Sequence, residues 1–270
     1  MLALGPSQTT EMALFLCSHC MKISATVITL NEQRHIRRCL ESLQGVADEM
    51  IVVDSGSQDA TLEIAAQIGA KTFVRDWTNY AEQKNFASAL AQYEWILSLD
   101  ADECLSSSLR QDILQAKQNA SECIAFEFPR KAFYLGRWIE HSGWYPDYKI
   151  RLFLKQKAQW EGRFVHEALR VDGPIVRLSG DLLHYSCESI SEHLRSVDRY
   201  TTLAAEDLWH RHKKNHSTDM LVSPLAAFIK TYCLKQGFKD GMQGFVIACF
   251  ASYYNFLKHA KLWELEQQSR

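Results

Sequence analysis

The sequence predicts an α/β fold, a mainly parallel sheet flanked by helices, followed by a helical C-terminal region. Apolar, β-branched runs of strand length alternate with segments of helical period through the first hundred residues. Each of those runs gives way to a polar cluster, and beyond Ser189 the pattern is helical to the end. Strands separated by helical segments imply βαβ units and parallel pairing. The expected organisation is an extension that adds little to the fold over 1–20, an α/β domain over 21–187 and a helical region over 188–270.

Taken in order, Ile23 to Leu30 is the first strand, followed by the polar pair Asn31-Glu32 and a helix over Ile36 to Leu43. Glu49 to Val53 is the second strand. It ends in Asp54-Ser55-Gly56-Ser57-Gln58-Asp59, and Thr61 to Ile68 resumes helical period. Lys71 to Val74 is a third strand, Ala81 to Gln92 a helix, and Glu94 to Leu99 a fourth strand that runs into Asp100-Ala101-Asp102-Glu103. Strand character returns at Cys123 to Phe128, in the alternating stretch around Lys149 to Phe153, and at Leu182 to Tyr185. The helical remainder has a loop through His210 to Ser217 and a break at Pro224.

Composition narrows the classes. The chain has 270 residues, 47% hydrophobic and 23% charged, which is globular and long enough to bury a large core. Lys+Arg 30 against Asp+Glu 32 leaves a formal charge of −2, no basis for a nucleic-acid partner. Eight scattered cysteines fit a reducing cytosol, and Cys17 and Cys20 lack the second ligand pair that structural zinc needs. Residues 1–20 carry no basic leader, and Met12 to Leu16 is too short for a signal peptide or a span, so they read as an extension or as a misplaced start ahead of Met21. Gln243 to Leu257 is apolar almost all round and flanked by lysines, which suits either a buried core helix or a helix lying in a membrane interface.

The acid cluster carries the chemistry. In open α/β sheets ligands bind at the carboxyl ends of the strands. Two hard oxygen donors, Asp100 and Asp102, suit Mg²⁺ or Mn²⁺, which complete their shells with water and substrate phosphate. An acidic turn capping a helix at Ser106 to Ser108 fits the same spacing. No Gly-x-Gly-x-x-Gly follows the first strand and no P-loop occurs, so a nucleotide held through a metal remains open.

Several pieces then coincide: Thr29-Leu30-Asn31-Glu32, Val53 to Thr61, Gln83-Lys84-Asn85, Leu99 to Glu103, Trp144-Tyr145-Pro146-Asp147, Arg151-Leu152-Phe153 and Val165-His166-Glu167. Together they resemble the family 2 inverting glycosyltransferases of the GT-A fold, and within them the bacterial lipopolysaccharide-core glucosyltransferases. The resemblance runs from Ile23 to Tyr185.

It implies that Glu32, Asp54, Lys84, Asp100 and Arg151 hold the donor nucleotide, with Asp54 accepting the N3 hydrogen of uracil. A helix cap at Ala60 is the other reading of Asp54, a solvated helix face that of Lys84, and a surface ion pair that of Arg151. Asp102 would ligate the ion, with Asp100 on ribose or a metal-bound water. His184 would complete the shell or contact the diphosphate, or be a strand-end histidine satisfied by backbone. The acceptor's base would be Glu167, in the family's His-Glu position, with Asp147 second; transferases in which an Asp directly follows the Glu differ here. His166, Trp144 and Tyr145 would line the acceptor, the two aromatics having core packing as their alternative. The implied reaction moves a hexose, glucose from UDP-glucose, to a hydroxyl of a lipid-linked saccharide. The enzyme would be cytoplasmic, in peripheral contact with the inner membrane. Transfer to a polyprenyl phosphate, a haloacid-type phosphatase and a non-catalytic saccharide-binding module are the rivals.

Overall fold

The computed structural model of the chain describes residues 21–119, 123–162, 167–213 and 217–268. The expectations for 1–20 and for His166 lie outside them. Strand β1 (Ile23–Thr29) is buried at every position and is flanked in parallel by β2 (Glu49–Asp54) and β4 (Trp95–Asp100), with β3 (Lys71–Val74) beyond β2. Helices α1 (Ile36–Leu43), α2 (Thr61–Gln67) and α3 (Tyr80–Ala89) make the crossovers that parallel pairing demands. Helix α1 buries Ile36, Cys39, Leu40 and Leu43, a stripe at helical period. Successive strand residues point to opposite faces. Accordingly Val27, Val52, Leu97 and Leu99 pack in one apolar layer with α1, whereas Ile28, Ile51, Val53 and Ile96 pack in the other with Ala87, Phe153 and Trp160.

Past β4 the parallel run ends. Strand β5 (Glu103–Leu105) follows, then α4 (Ser107–Asn119), β6 (Ala125–Tyr134), β7 (Arg137–Trp138), β8 (Asp147–Leu154), the hairpin β9 (Ala158–Glu161) and β10 (Ala168–Val171), β11 (Ile175–Arg177) and β12 (Leu182–Cys187). The main sheet runs β3-β2-β1-β4-β8-β6-β12-β5, with β8 antiparallel to both β4 and β6. Helix α4 is capped by Ser106, whose Oγ accepts from Leu109 N at 3.1 Å. The acids upstream are thus not its cap.

The C-terminal region is α5 (Ile190–His210), α6 (Ser217–Ile229) and α7 (Gly241–Gln268). Helix α5 opens with a capping box between Ser189 and Glu192. Pro224 does not break the chain as the sequence suggested: α6 runs through it, packed along α7, so tertiary contact overrides the missing N–H. A π turn over Lys230–Leu234 and a 3₁₀ turn over Gly237–Asp240 lead into α7. Asp240 there accepts from the backbone of Glu140 and His141 and from Ser142 Oγ, which ties the helices to the loop before β8. Among the described residues no helix is long and apolar enough to cross a membrane.

Candidate active site

The strand register gathers the polar loops. Thr29 lies opposite Asp54, and Ile28 opposite Asp100, so the ends of β1, β2 and β4 open on one edge of the sheet. A cavity of about 1170 Å³ begins there, walled by Thr29, Glu32, Ser55, Asp100 and Asp102. Arg151, Trp160, Glu167 and His184 face it from the later strands, and Arg199, Tyr200 and Tyr254 from α5 and α7.

The three acids do different work. Glu103 is almost wholly enclosed; it accepts from Arg151 at 2.8 Å and from the Asp100 backbone at 3.0 Å, with Arg130 at 3.4 Å. It is the internal counter-ion of two guanidiniums. Asp100 takes Arg151 at 2.6 Å and Lys84 at 3.0 Å. Burial works against its charge, but Arg151 and then Lys84 hold its carboxyl well below the usual range. Oδ2 meets Arg151 and Oδ1 meets Lys84, one cation to each oxygen, so each keeps a lone pair for a further donor. Asp102 follows in the tight turn to β5. Its carbonyl accepts from Tyr185 N at 2.9 Å, and the pairing of Glu103 with His184 brings His184 Nε2 to 3.1 Å from its carboxylate. Burial lowers the basicity of His184, and Asp102 more than reverses this, so the net shift is upward.

Lys84 is 1% exposed, which removes the solvated-face reading. Its Nζ lies 3.6 Å from Glu167 and 4.6 Å from the centre of the Trp160 ring. Its neighbours brace the same place. Gln83 donates to Ser55 Oγ and to the Arg75 carbonyl, and the Asn85 amide pairs with both backbone groups of Trp160 at 2.8 and 3.0 Å. Three consecutive residues of α3 thus fix the second-strand loop, the acid turn and the hairpin. Likewise Arg151 is buried in ion pairs, and the surface alternative falls.

Residues 24–171 match the family described as Glycosyl transferase family 2. The chain belongs to that family. It is similar to an uncharacterized glycosyltransferase of Rickettsia typhi, 33% identical over 92% of this chain and 89% of that one. It is also similar to the lipopolysaccharide core biosynthesis glycosyltransferase LpsC of Rhizobium meliloti, 28% identical over 90% and 93%. Among solved structures, S. aureus TarS 1-349 in complex with UDP-GlcNAc has a TM-score of 0.46 at 15% identity, with 93% of each chain covered. Glucosyl-3-phosphoglycerate synthase from Mycobacterium tuberculosis, in complex with Mn²⁺ and UDP, has a TM-score of 0.36 at 19% identity over 48% and 50%. The chain is a family 2 glycosyltransferase with the GT-A fold, which removes the phosphatase and non-catalytic readings.

No group of three His, Cys, Asp or Glu side chains that could hold a metal occurs among the described residues. The pair Asp102 and His184 offers one carboxylate and one imidazole, a partial set that Mg²⁺ or Mn²⁺ complete with water and phosphate oxygens. Surplus negative charge collects beside it. Burial, then Asp102, Asp59 and Asp100, push the Glu32 carboxyl up to about 7.

Other expected residues sit differently. Asp54 is fully buried, its oxygens taken by the backbone of Gly56 and Ser57 and by Ser57 Oγ. One of its four lone-pair sites is unused, and the residue does not itself line the cavity, which its neighbour Ser55 does. Asp59 accepts from Thr61 N at 3.0 Å and so serves the start of α2. Asp147 is outside the cavity lining, paired with Arg130 at 2.7 Å and Lys149 at 3.0 Å. Trp144 and Tyr145 do not line the cavity either: Trp144 packs edge-on against Tyr134, and the Tyr145 hydroxyl donates to Asp181. The core alternative holds for Trp144. Sequence reasoning missed Arg130, Glu103, Tyr200 and Tyr254; only Glu103 carried a local signal, its place next to Asp102.

Proposed function

We propose that the chain is an inverting glycosyltransferase that moves a hexose, glucose from UDP-glucose, to a hydroxyl of a lipid-linked saccharide such as lipopolysaccharide core. The observation that carries this is one cavity lined by Asp100, Asp102, His184 and Glu167, with the buried Lys84 paired to Asp100 and Glu167. Asp102 and His184 would hold the ion, and Mg²⁺ or Mn²⁺ there would offset the charge that grows on the departing diphosphate. Lys84 and Arg151 fix Asp100 as an anion for ribose. Asp54 keeps one acceptor site for the uracil N3 hydrogen, and Glu32 lies at the same end of the cleft. Glu167 takes the proton of the acceptor hydroxyl as its oxygen bonds to the anomeric carbon, and the electron pair of the breaking bond leaves with the diphosphate. The likeness to LpsC supports the acceptor class.

The test is UDP release from UDP-glucose with Mn²⁺ and a truncated core saccharide. Asp102→Asn should abolish release with the fold intact. Glu167→Gln should lower kcat by about 10²–10⁴ while UDP binding persists. A polyprenyl phosphate acceptor is already an anion and needs no base, so turnover by Glu167→Gln on polyprenyl phosphate, lost on the saccharide, would favour that rival. No release above background by the wild-type chain overturns the proposal.

A further inference from the structure

Helix α6 and the turns after it carry an apolar surface that no described residue covers. Leu221, Val222, Leu225 and Ile229 recur along one face of the helix and are all exposed. Leu221 is 76% exposed, Leu234 in the π turn 73% and Met242 at the start of α7 72%. Beside them a groove of about 440 Å³ runs between α6 and α7, with Pro224, Phe228, Tyr253 and Phe256 in its walls. Single exposed leucines are ordinary, but an apolar patch of this extent marks an interaction site.

The charge around the patch is mostly positive, with Asp219 in the first turn of α6 as an acid at its margin. From Met220 to Lys258 the sequence has four lysines, Lys230, Lys235, Lys239 and Lys258, and a single acid, Asp240. That acid is 1% exposed and accepts from Ser142, so it offsets nothing at the surface, whereas Lys230, Lys235 and Lys239 are exposed. We propose that this face docks on an anionic lipid bilayer, its leucines and aromatics entering the headgroup layer while the lysines meet acidic headgroups. A second copy of the chain fits less well, since a two-fold contact would set this lysine rim against itself. The sequence pointed to Gln243 to Leu257; the structure moves the docking face to α6 and the turns, because α7 buries Gly244, Ile247 and Ala248. The face and the cleft share α7. Tyr254 lines the cavity, and Tyr253, about 100° round the helix, lines the groove. The purpose of the face, bringing the cleft to its acceptor, rests on the lipid-linked acceptor proposed above.

The experiment is sedimentation of the full chain with vesicles of phosphatidylethanolamine and phosphatidylglycerol, against vesicles of phosphatidylcholine alone. The wild-type chain should pellet with the first, less so at high salt. The combined variant Leu221→Glu, Leu225→Glu and Leu234→Glu alters exposed positions and should cut binding about a hundredfold. Lys230→Gln, Lys235→Gln and Lys239→Gln should each cut it about fivefold and flatten the salt dependence. Both sets should leave UDP release on a soluble acceptor unchanged. The proposal is overturned if the wild-type chain ignores anionic vesicles, or if the glutamate variant pellets undiminished. It is overturned equally if the wild-type chain is a lipid-free dimer that those glutamates dissociate. Vesicle binding without any UDP release would leave this face standing and remove the UDP-glucose and saccharide assignment proposed above.

Discussion

His193 stacks on Phe250 with ring centres 3.8 Å apart and shares a hydrogen bond of 2.7 Å with the Tyr134 hydroxyl. Burial pushes its pKa down to about 4 from 6.5. Above pH 6.5 neither the folded nor the unfolded chain protonates it. As pH falls from there toward 4, the unfolded chain takes up a proton that the folded one refuses, so stability declines across that window and levels off below it. The ring keeps some solvent access, and the expected loss is about 1–2 kcal/mol after screening. His193→Phe keeps the stack and should remove that part of the slope, measured as urea midpoints from pH 7 to pH 4; an unchanged slope would put the titration elsewhere. Asp100 and Asp102 were legible as acids at the carboxyl end of β4, whereas Glu167 was expected only from the family resemblance. Their allocation was not legible. Arg151 lies 48 positions from Glu103, and no local pattern assigns its guanidinium to the first and third acids, leaving the second for His184.

At the scale of elements, β1 to β4 and their helices were legible because each carries its period within about ten residues: two for a strand, 3.6 for a helix. The antiparallel continuation was not, since β8 beside β4 and β5 beside β12 are set by pairing between distant segments. The same holds for the joint at the head of α7. A Cβ on Gly244 would stand 1.8 Å from the Gly237 carbonyl oxygen and 3.0 Å from the Asp240 Cβ, so the 3₁₀ turn and the helix touch backbone to backbone. Nothing beside Gly244 in the sequence announces this, for the partner is a turn. Gly244→Ala must push that turn away from α7. The expected destabilisation is about 1–3 kcal/mol, read as a lower midpoint with an unchanged slope in urea. A midpoint equal to wild type would mean that the turn moves at no cost and that the contact does not hold the helices in place.

Over the whole molecule, the division at residue 187 that the sequence suggests does not coincide with the walls of the cleft. Arg199 and Tyr200 of α5 and Tyr254 of α7 line it together with the strand-end acids, and Ile247 of α7 packs on Tyr134 and Ile139. Burial pushes the Tyr200 hydroxyl up to about 12, so it faces the cavity as a neutral donor. A chain cut to residues 21–187 retains Glu32, Asp54, Lys84, Asp100, Asp102, Arg151, Glu167 and His184, every group proposed for the donor, the ion and the base. It loses one wall of the cavity and uncovers Tyr134 and Ile139, both fully buried in the intact chain. If the C-terminal helices only carried the enzyme to its acceptor, that shortened chain would release UDP on a soluble saccharide at the full rate. The packing argues for the opposite outcome: strong binding of an apolar dye, a broadened thermal transition and no release above background. Tyr254→Phe in the full chain separates stability from substrate contact, because it keeps the ring and removes only the hydroxyl. It should unfold at the wild-type temperature, and a raised KM for the saccharide at unchanged donor KM would place the acceptor against α7.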